Sequence, residues 1–237
     1  MKKIKIILTL SLVTNIFMAC VVLLITYKVG GVNFVLSKLE DKALKYSDNP
    51  YYIERENIYE STILPQNKTI FLGDSITNRG LWDEWFPNSG TINRGINSDT
   101  TEGIKSRLNS VIEAKPSKVF IMAGINDLYE KRSIKKIVSN YSEIMKSFKT
   151  SSPDTKVYIQ SVLPVNNEMY GDAIHNTDVV SLNTKLKETA SKFGYEYVDV
   201  YSELSEQNQL LKTLTIEGIH LNGEGYKLWR KVLEKYL

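Results

Sequence analysis

The residues that could do chemistry lie in four short segments of the chain. The first is Gly-Asp-Ser-Ile-Thr at residues 73–77, directly after the apolar pair Phe71-Leu72. A serine there would lie at the carboxyl end of a strand, where open α/β sheets bind their ligands. If a helix follows, its N-terminal amides would favour negative charge that develops nearby. Ser75 is therefore a candidate nucleophile, and the alternative is that Asp74 or Ser75 only caps that helix.

Two further segments offer hydrogen-bond donors for such a site. Gly95 follows the apolar pair Thr91-Ile92, and without a Cβ its backbone N–H can approach a ligand closely. Asn126, in the segment at residues 124–127, can donate its side-chain N–H to an oxyanion. A simple turn at Gly95 and a helix-capping Asn-Asp turn at Asn126 are the alternatives. In a flavodoxin-like strand order, Ser75 and Asn126 would be neighbours across one crevice.

The fourth segment, Glu-Gly-Ile-His-Leu-Asn at residues 217–222, offers a general base. A base must reach the serine hydroxyl, and an acceptor on its other ring nitrogen must hold the correct tautomer. Glu217, three residues before His220, can supply that acceptor from the same loop. The alternative is a solvated glutamate beside a loop histidine.

The cysteine and histidine counts narrow the chemistry. Cys20 is the only cysteine, and His175 and His220 are the only histidines. The chain after residue 20 can therefore form no disulfide, cysteine-based metal site or thiol nucleophile, and a zinc site of several histidines is excluded. His175 lies in a polar stretch at residues 166–178 and is interpreted as a solvent-facing loop histidine.

Together and in this order, the four segments resemble the SGNH (GDSL-type) hydrolase family, named for its serine, glycine, asparagine and histidine. The resemblance covers about residues 68–237 and includes all four blocks. It implies that Ser75 is the nucleophile and His220 the general base. It also implies an oxyanion hole formed by the backbone N–H groups of Ser75 and Gly95 with the Asn126 side chain. The family further implies a flavodoxin-like fold and ester hydrolysis without a metal or other cofactor.

The chain departs from the family pattern at one site position. The family usually has aspartate three residues before the histidine, where this chain has Glu217. Glutamate serves as the third member of some other catalytic triads, so we expect Glu217 to orient His220. Asp199, after the last predicted strand, is the alternative.

The elements that must position these residues follow from the hydropathy pattern. Short apolar runs alternate with helical stretches, which indicates a parallel sheet with helices on both faces. Strands are predicted at 69–72, 91–92, 118–122, 156–163 and 195–200, and helices at 100–114, 133–150, 178–193 and 223–236. The predicted fold class is α/β, a flavodoxin-like three-layer α/β/α fold with a five-stranded parallel sheet. The aromatics Trp82, Trp85 and Phe86 could line a substrate pocket or pack in the core.

The N-terminal segment predicts a membrane anchor. Lys2, Lys3 and Lys5 precede an uncharged, mainly apolar run at residues 6–27, which as a helix would span about 33 Å, enough for a bilayer core of about 30 Å. The flanking lysines place the N-terminus in the cytoplasm and the rest outside. A cleaved signal peptide fits less well, because the apolar run continues past residue 20. Lipidation at Cys20 is a further alternative.

The predicted organisation is a cytoplasmic tail at 1–5, a signal-anchor at 6–27, a stem and docking helix at 28–64 and a hydrolase domain at 65–237. The docking helix is expected near Tyr51–Tyr59, and another helix at 33–46 in the stem. The expected protein is a single-pass cell-membrane enzyme with an extracytoplasmic catalytic domain.

The expected activity is hydrolysis of carboxylic esters, with an O-acetyl ester on a glycan as the first substrate class. A lysophospholipid or short-chain acyl ester is the second, and a surface binding module without catalysis is an alternative of another class. The net charge of +3, from 30 basic and 27 acidic residues, argues against a nucleic-acid partner. The sequence does not determine the oligomeric state.

Overall fold

The structure, a computed structural model, describes residues 49–237 and, before them, only Ser11, Thr14, Asn15 and Met18. The chain divides into two compact units, Met1–Lys45 and Tyr46–Leu237. All elements named below belong to the second unit.

A five-stranded parallel sheet organises this unit. Its strands are β1 (Thr69–Gly73), β2 (Thr91–Gly95), β3 (Lys118–Met122), β4 (Lys156–Gln160) and β5 (Glu196–Val198). Their order across the sheet is β2-β1-β3-β4-β5 and every pairing is parallel, which is the flavodoxin-like order. The predicted five-stranded parallel sheet is therefore confirmed. A short antiparallel ribbon, β6 (Ser205–Glu206) and β7 (Gln209–Leu210), lies outside this sheet.

Helices connect the strands as an α/β fold requires. They are α1 (Pro50–Ser61), α2 (Ser75–Asn78), α3 (Trp82–Trp85), α4 (Thr101–Ser106), α5 (Leu108–Glu113), α6 (Ile125–Tyr129), α7 (Ile134–Ser151), α8 (Asn167–Tyr170), α9 (Asn176–Phe193), α10 (Tyr201–Leu204) and α11 (Gly223–Leu233). Asn222 caps α11 by accepting a hydrogen bond from the Gly225 N–H at 3.1 Å, as its sequence position predicts.

Both faces of the sheet are buried. On one face Phe71, Phe120 and Tyr158 occupy paired positions of β1, β3 and β4, and their rings stack in a row. Trp82 of α3 stacks on Phe71 at 3.9 Å between ring centroids, and Trp229 of α11 packs edge-on against Trp82. The alternate strand residues, such as Ile70 and Ile121, are fully buried on the opposite face, as expected for a parallel sheet covered on both sides.

The first described helix, α1, docks on the end of β2. Asn49 caps it by accepting from the Tyr51 N–H, and Pro50 occupies its first turn. The Tyr59 hydroxyl donates to the Gly95 carbonyl at 3.1 Å, and the Arg94 guanidinium stacks over the Tyr59 ring. The helix predicted near Tyr51–Tyr59 lies within α1, while the boundary at residue 65 stays a prediction.

The N-terminal predictions concern residues that lie almost entirely outside the described part. These are the tail at 1–5, the anchor at 6–27 and the stem helix at 33–46. Within the part of the chain that the structure describes, no helix has the length and hydropathy needed to cross a bilayer.

Candidate active site

Three side chains, one from the segment after β1 and two from a loop near the C-terminus, form a hydrogen-bonded row at the carboxyl edge of the sheet. The Ser75 Oγ and His220 Nε2 atoms are 2.8 Å apart. On the other side of the imidazole, His220 Nδ1 contacts Glu217 Oε1, and this same oxygen accepts the His220 backbone N–H at 3.1 Å. A hydroxyl, an imidazole and a carboxylate in this order are the arrangement needed to activate a serine.

Helix α2 positions Ser75 at its first residue. Asp74, not Ser75, caps the helix, because its side chain accepts the Ile76 N–H at 3.0 Å. The Tyr226 hydroxyl of α11 donates to the Ile76 carbonyl at 2.7 Å, and Trp82 Nε1 donates to the Thr77 carbonyl at 2.9 Å. The helix that carries Ser75 is thus fixed from two directions.

The loop that carries Glu217 and His220 is held by hydrogen bonds between the Thr215 hydroxyl and the loop backbone. Thr215 Oγ1 accepts from the Gly218 N–H and donates to the His220 carbonyl, at 2.9 and 2.7 Å. Gly218 has a φ of +94°, which favours glycine. Its carbonyl accepts the Asn166 N–H at 2.7 Å, which joins this loop to the N-terminus of α8.

The environment of His220 favours its neutral, basic form. Burial lowers the pKa of His220, the hydrogen bond that its ring donates to Glu217 opposes this, and the positive charge of Arg79 lowers the pKa further. Burial alone would raise the pKa of Glu217, but its hydrogen bonds to His220 outweigh this and hold that pKa below its usual value. Glu217 is therefore ionised, and His220 is available to accept a proton.

Gly95 ends β2 and Asn126 lies in α6, just after β3, and both are held by neighbouring residues. Asn126 Nδ2 donates one N–H to the Asp99 carbonyl at 2.8 Å, which leaves its second N–H for another acceptor. A Cβ on Gly95 would lie 2.3 Å from the Asn78 backbone nitrogen, so only glycine fits this approach to α2. The Gly95 N–H itself donates to Asn93 Oδ1 at 2.9 Å.

A buried ion pair between Asp99 and Arg107 lies next to these donors. Arg107 Nε and Nη2 donate to Asp99 Oδ2 at 2.9 and 2.7 Å. Arg107 Nη2 also reaches the Arg94 carbonyl at 2.8 Å and the Gly73 carbonyl at 3.3 Å. Burial raises the pKa of Asp99 to about 6, and the Arg107 charge limits that rise.

A second buried carboxyl adjoins the nucleophile. Burial raises the pKa of Asp74 to about 7, against the hydrogen bond from the Ile76 N–H. Asp74 and Ser75 are both buried in the fold, so the nucleophile lies at the edge of a weakly solvated region.

The remaining sequence candidates lie elsewhere. Asp199, the alternative partner for His220, instead accepts hydrogen bonds from Ser202 N and Oγ. His175 is exposed beside α9. Trp82 and Phe86 are buried in the core, and Trp85 packs against it. Among the described residues, no group of three or more His, Cys, Asp or Glu side chains could hold a metal ion.

Sequence reasoning missed Asn93, Asp99 and Arg107. Asn93 Nδ2 donates to the carbonyls of Thr77, Asn78 and Gly80, so this side chain ties β2 to the end of α2. The only signal for Asn93 was its place two residues before Gly95. Arg107 lay inside a predicted helix and gave no signal, because its acceptors come from other segments.

Comparison with known proteins agrees with this geometry. Residues 71–228, more than half of the chain, match the GDSL-like Lipase/Acylhydrolase family. No curated protein matches the chain.

Several solved structures are similar to this one. A protein from Streptococcus pneumoniae described as a platelet activating factor is 28% identical, with a TM-score of 0.71 over 86% of this chain and 98% of that one. A GDSL-like lipase from Bacteroides thetaiotaomicron is 25% identical, with a TM-score of 0.66 over 78% and 96%. An acetyl-xylooligosaccharide esterase variant from Geobacillus stearothermophilus is 20% identical, with a TM-score of 0.58 over 73% and 94%, and at that identity it shows a shared fold. The chain therefore belongs to the GDSL-like lipase/acylhydrolase family, as its four segments predicted, and is a carboxylic ester hydrolase.

Proposed function

We propose that the protein is a membrane-anchored, outward-facing serine esterase that removes O-acetyl groups from an extracellular glycan. The observation that carries the catalytic part is the hydrogen-bonded row of Ser75, His220 and Glu217. Ser75 Oγ attacks the ester carbonyl while His220 Nε2 takes its proton, and Glu217 stabilises the imidazolium that forms. His220 then protonates the leaving alcohol, and a water molecule that it activates releases the acid from Ser75.

The oxyanion in this mechanism is stabilised by the N–H groups of Ser75 and Gly95 and by Asn126 Nδ2. Asn126 is oriented by the Asp99 carbonyl, and its second N–H is free for the oxyanion. Gly95 donates to Asn93 Oδ1 at 2.9 Å. A charged oxyanion accepts hydrogen bonds more strongly than a neutral amide oxygen does, so it competes with Asn93 Oδ1 for this N–H as the transition state forms.

The glycan assignment rests on a groove lined by several amide side chains beside the loop that carries His220, the histidine loop. It is here called the amide groove. It has one lobe of about 530 Å³ and a second of about 480 Å³. Both lobes are lined by Asn167, Gln207 and Gln209, and the second also by Asn208 and Asn176. Asn167, Asn176 and Gln209 bond to one another. The exposed side-chain amides of Gln207 and Asn208 can both donate and accept hydrogen bonds, which suits the hydroxyl groups of sugars.

The walls of the amide groove are fixed before any ligand binds. Asn167 Oδ1 accepts from Gln209 Nε2 and Asn176 Nδ2 at 3.0 and 3.1 Å, and the Asn167 N–H donates to Gln209 Oε1 at 2.8 Å. A prearranged wall loses little entropy on binding. Asn166, at the base of the groove, bonds directly to Gly218 of the histidine loop, so a glycan in the groove would lie close to the reaction centre.

A second candidate substrate is a lipid acyl ester, which exposed apolar side chains close in sequence to the site residues favour. These are Leu81, Tyr129, Met169 and Ile216, exposed by 48%, 52%, 41% and 78%. Tyr129 lies one helical turn after Asn126, and Ile216 directly precedes Glu217. Exposed apolar patches around a site commonly mark contact with apolar ligands or membranes.

Outward orientation is supported by the sequence alone. The lysines at positions 2, 3 and 5 flank the apolar run of residues 6–27, and positive flanks stay in the cytoplasm. A substrate at the cell surface follows from that orientation.

The first test is labelling with a fluorophosphonate probe, which reacts only with an activated serine. We expect labelling of the wild-type chain and none of Ser75→Ala. Absence of labelling in both chains would contradict the enzyme assignment and favour a binding module.

The substrate test compares p-nitrophenyl esters from acetyl to long acyl chains and then acetate release from O-acetylated polysaccharides. The variant Gln207→Ala/Asn208→Ala should lower turnover of the polysaccharide several-fold and leave p-nitrophenyl acetate hydrolysis unchanged. A steep preference for long acyl chains would instead favour the lipid ester.

Removal of one oxyanion donor should weaken the enzyme without unfolding it. The loss of a single donor lowers kcat by about 10²–10³-fold, so we expect a fall of that size in Asn126→Ala. Its circular dichroism spectrum should match that of the wild type, because the fold is retained. Full activity of this variant would rule out the donor role of Asn126.

A further inference from the structure

Arg107 is a buried arginine next to the candidate active site, and it bonds to three residues, Gly73, Arg94 and Asp99. Its side chain is 3% exposed. It lies between α4 and α5, where its φ of −100° and ψ of 16° break the helix predicted over residues 100–114. The break separates α4 from α5. The Arg107 side chain points toward the ends of β1 and β2, where two of its acceptors lie.

Two of the three acceptors of Arg107, Gly73 and Arg94, lie within two residues of a proposed oxyanion donor. The Arg94 carbonyl, at 2.8 Å, belongs to the same planar peptide unit as the Gly95 N–H. The hydrogen bond from Arg107 therefore fixes the direction of that N–H. The Gly73 carbonyl, at 3.3 Å, lies at the end of β1, two residues before Ser75.

The third acceptor links Arg107 to Asn126. Arg107 donates twice to Asp99 Oδ2, and the Asp99 backbone carbonyl accepts the Asn126 side-chain N–H at 2.8 Å. Asp99 Oδ1 also accepts the Thr100 N–H at 2.9 Å. Both carboxylate oxygens of Asp99 therefore accept hydrogen bonds, which holds the residue in place. Its backbone carbonyl can then hold the Asn126 amide in one orientation.

Only a guanidinium can make this set of contacts. Its planar fork offers several N–H groups in fixed directions, whereas a lysine ammonium is a compact charge on a flexible stem. Asp99 and Arg107 are both almost fully buried, and hydrogen bonds in such surroundings hold their partners firmly.

We propose that Arg107 is the positioning residue that aligns the donors of the oxyanion hole. Arg107 bonds to no atom of the row formed by Ser75, His220 and Glu217, so it acts on the donors and not on the nucleophile. The inference rests on the proposed donor roles of Ser75, Gly95 and Asn126.

The central test is Arg107→Lys, which keeps a positive charge beside Asp99 and loses the fork. We expect kcat on p-nitrophenyl acetate to fall about 10–100-fold while KM stays within about twofold, because the donors act mainly in the transition state. Affinity for a trifluoromethyl ketone, which forms a tetrahedral adduct on the serine, should fall in proportion to kcat/KM.

A second variant guards against simple unfolding. Removing one partner of a buried ion pair leaves an unpaired charge, whereas removing both charges avoids this. Asp99→Asn/Arg107→Gln keeps the Asp99 backbone carbonyl in place and should lose activity to the same extent as Arg107→Lys.

Leu233→Ala is the matched control. Leu233 is fully buried at the far end of α11, about 15 Å along the helix from its first residue, and its truncation destabilises the core by an amount similar to a broken ion pair. It should lower the unfolding midpoint and leave kcat and the ketone affinity unchanged.

The outcomes separate this inference from the assignment of the site. If Asn126→Ala loses activity but Arg107→Lys retains full kcat and ketone affinity, only the role of Arg107 is wrong. If Asn126→Ala is fully active, the donor assignment itself fails. A loss in the Arg107→Lys/Asn126→Ala double variant equal to the product of the single losses would also contradict the proposal, because residues acting through one contact should not be independent.

Discussion

Glu217 reaches His220 although its side chain is one methylene longer than the aspartate usual at this position. The carboxylate accepts both the ring Nδ1–H and the backbone N–H of His220, so the loop folds back on its own glutamate. The Glu217 side chain is 46% exposed, which leaves room for the extra methylene. Residue type and spacing were enough to predict this contact, since both partners lie in one loop.

Arg79 gives a test of the charge around the histidine. It is exposed, follows Ser75 by one helical turn, and its charge lowers the pKa of His220, as burial also does. Removing that charge makes the imidazolium easier to form and so raises the pKa. In Arg79→Gln, the acidic limb of the kcat/KM profile on p-nitrophenyl acetate should therefore move to higher pH.

The control for this profile is Arg230→Gln, on α11 beside Glu234. This variant should leave the acidic limb of the kcat/KM profile at the wild-type pH. A shift of the Arg79→Gln limb toward lower pH would contradict the described charge environment, which consists of Glu217 and Arg79.

At the level of elements, the sequence predicted the strands and long helices well and their interruptions poorly. The apolar run at residues 156–163 predicts a longer strand than β4, which ends at Gln160. Beyond it the Val162 N–H bonds to the Asn183 side chain of α9 at 2.8 Å. The helix predicted over residues 100–114 is likewise interrupted at Arg107, whose side chain bonds to other segments. Periodicity records burial, but it does not record which polar partner ends an element.

Gly218 is an element-scale position whose substitution should be costly for activity. A Cβ there would lie 2.8 Å from the Tyr170 nitrogen and 2.9 Å from the Asn166 carbonyl oxygen, at a φ of +94°. Gly218→Ala must displace the loop that carries His220. Because misplacement by about 1 Å can cost about 10²-fold in rate, we expect kcat/KM on p-nitrophenyl acetate to fall by at least about tenfold.

Gly223→Ala provides the matched comparison. Gly223 begins α11, and a Cβ added there meets nothing within 4 Å. This variant should retain wild-type activity and thermal unfolding midpoint. Equal effects of the two substitutions would show that the loop tolerates the added methyl group.

For the whole molecule, the sheet brings the four segments to one edge. Ser75 and Asn126 follow the adjacent strands β1 and β3, and Gly95 ends β2 on the other side of β1. The general rule that ligands bind at the carboxyl ends of parallel strands was therefore sufficient to place these residues together. His220 could be placed only by its motif, because it precedes α11 and follows no strand of the sheet.

The membrane anchor is a prediction about the whole chain. The full-length protein should remain in the membrane fraction after alkaline carbonate extraction, and protease added to intact cells should remove the catalytic domain. The variant Phe17→Asp/Val21→Lys places two charges in the apolar run. Each charge costs about 2.5–3.5 kcal/mol of insertion free energy at the centre of a membrane span, so less of the protein should remain in the membrane fraction. Protection of the domain in intact cells, with cleavage only after lysis, would reverse the proposed orientation.

The aromatic cluster beneath the nucleophile has a practical optical consequence. All three tryptophans of the chain, Trp82, Trp85 and Trp229, belong to it, and the indole of Trp82 bonds to the helix that carries Ser75. Intrinsic fluorescence excited at the red edge of absorption therefore reports on this layer alone. The layer that contains α7 and α9 has no tryptophan and does not contribute to this fluorescence. Thermal unfolding followed by fluorescence and by circular dichroism would therefore show whether the layer that holds the Ser75 helix unfolds before the rest of the fold.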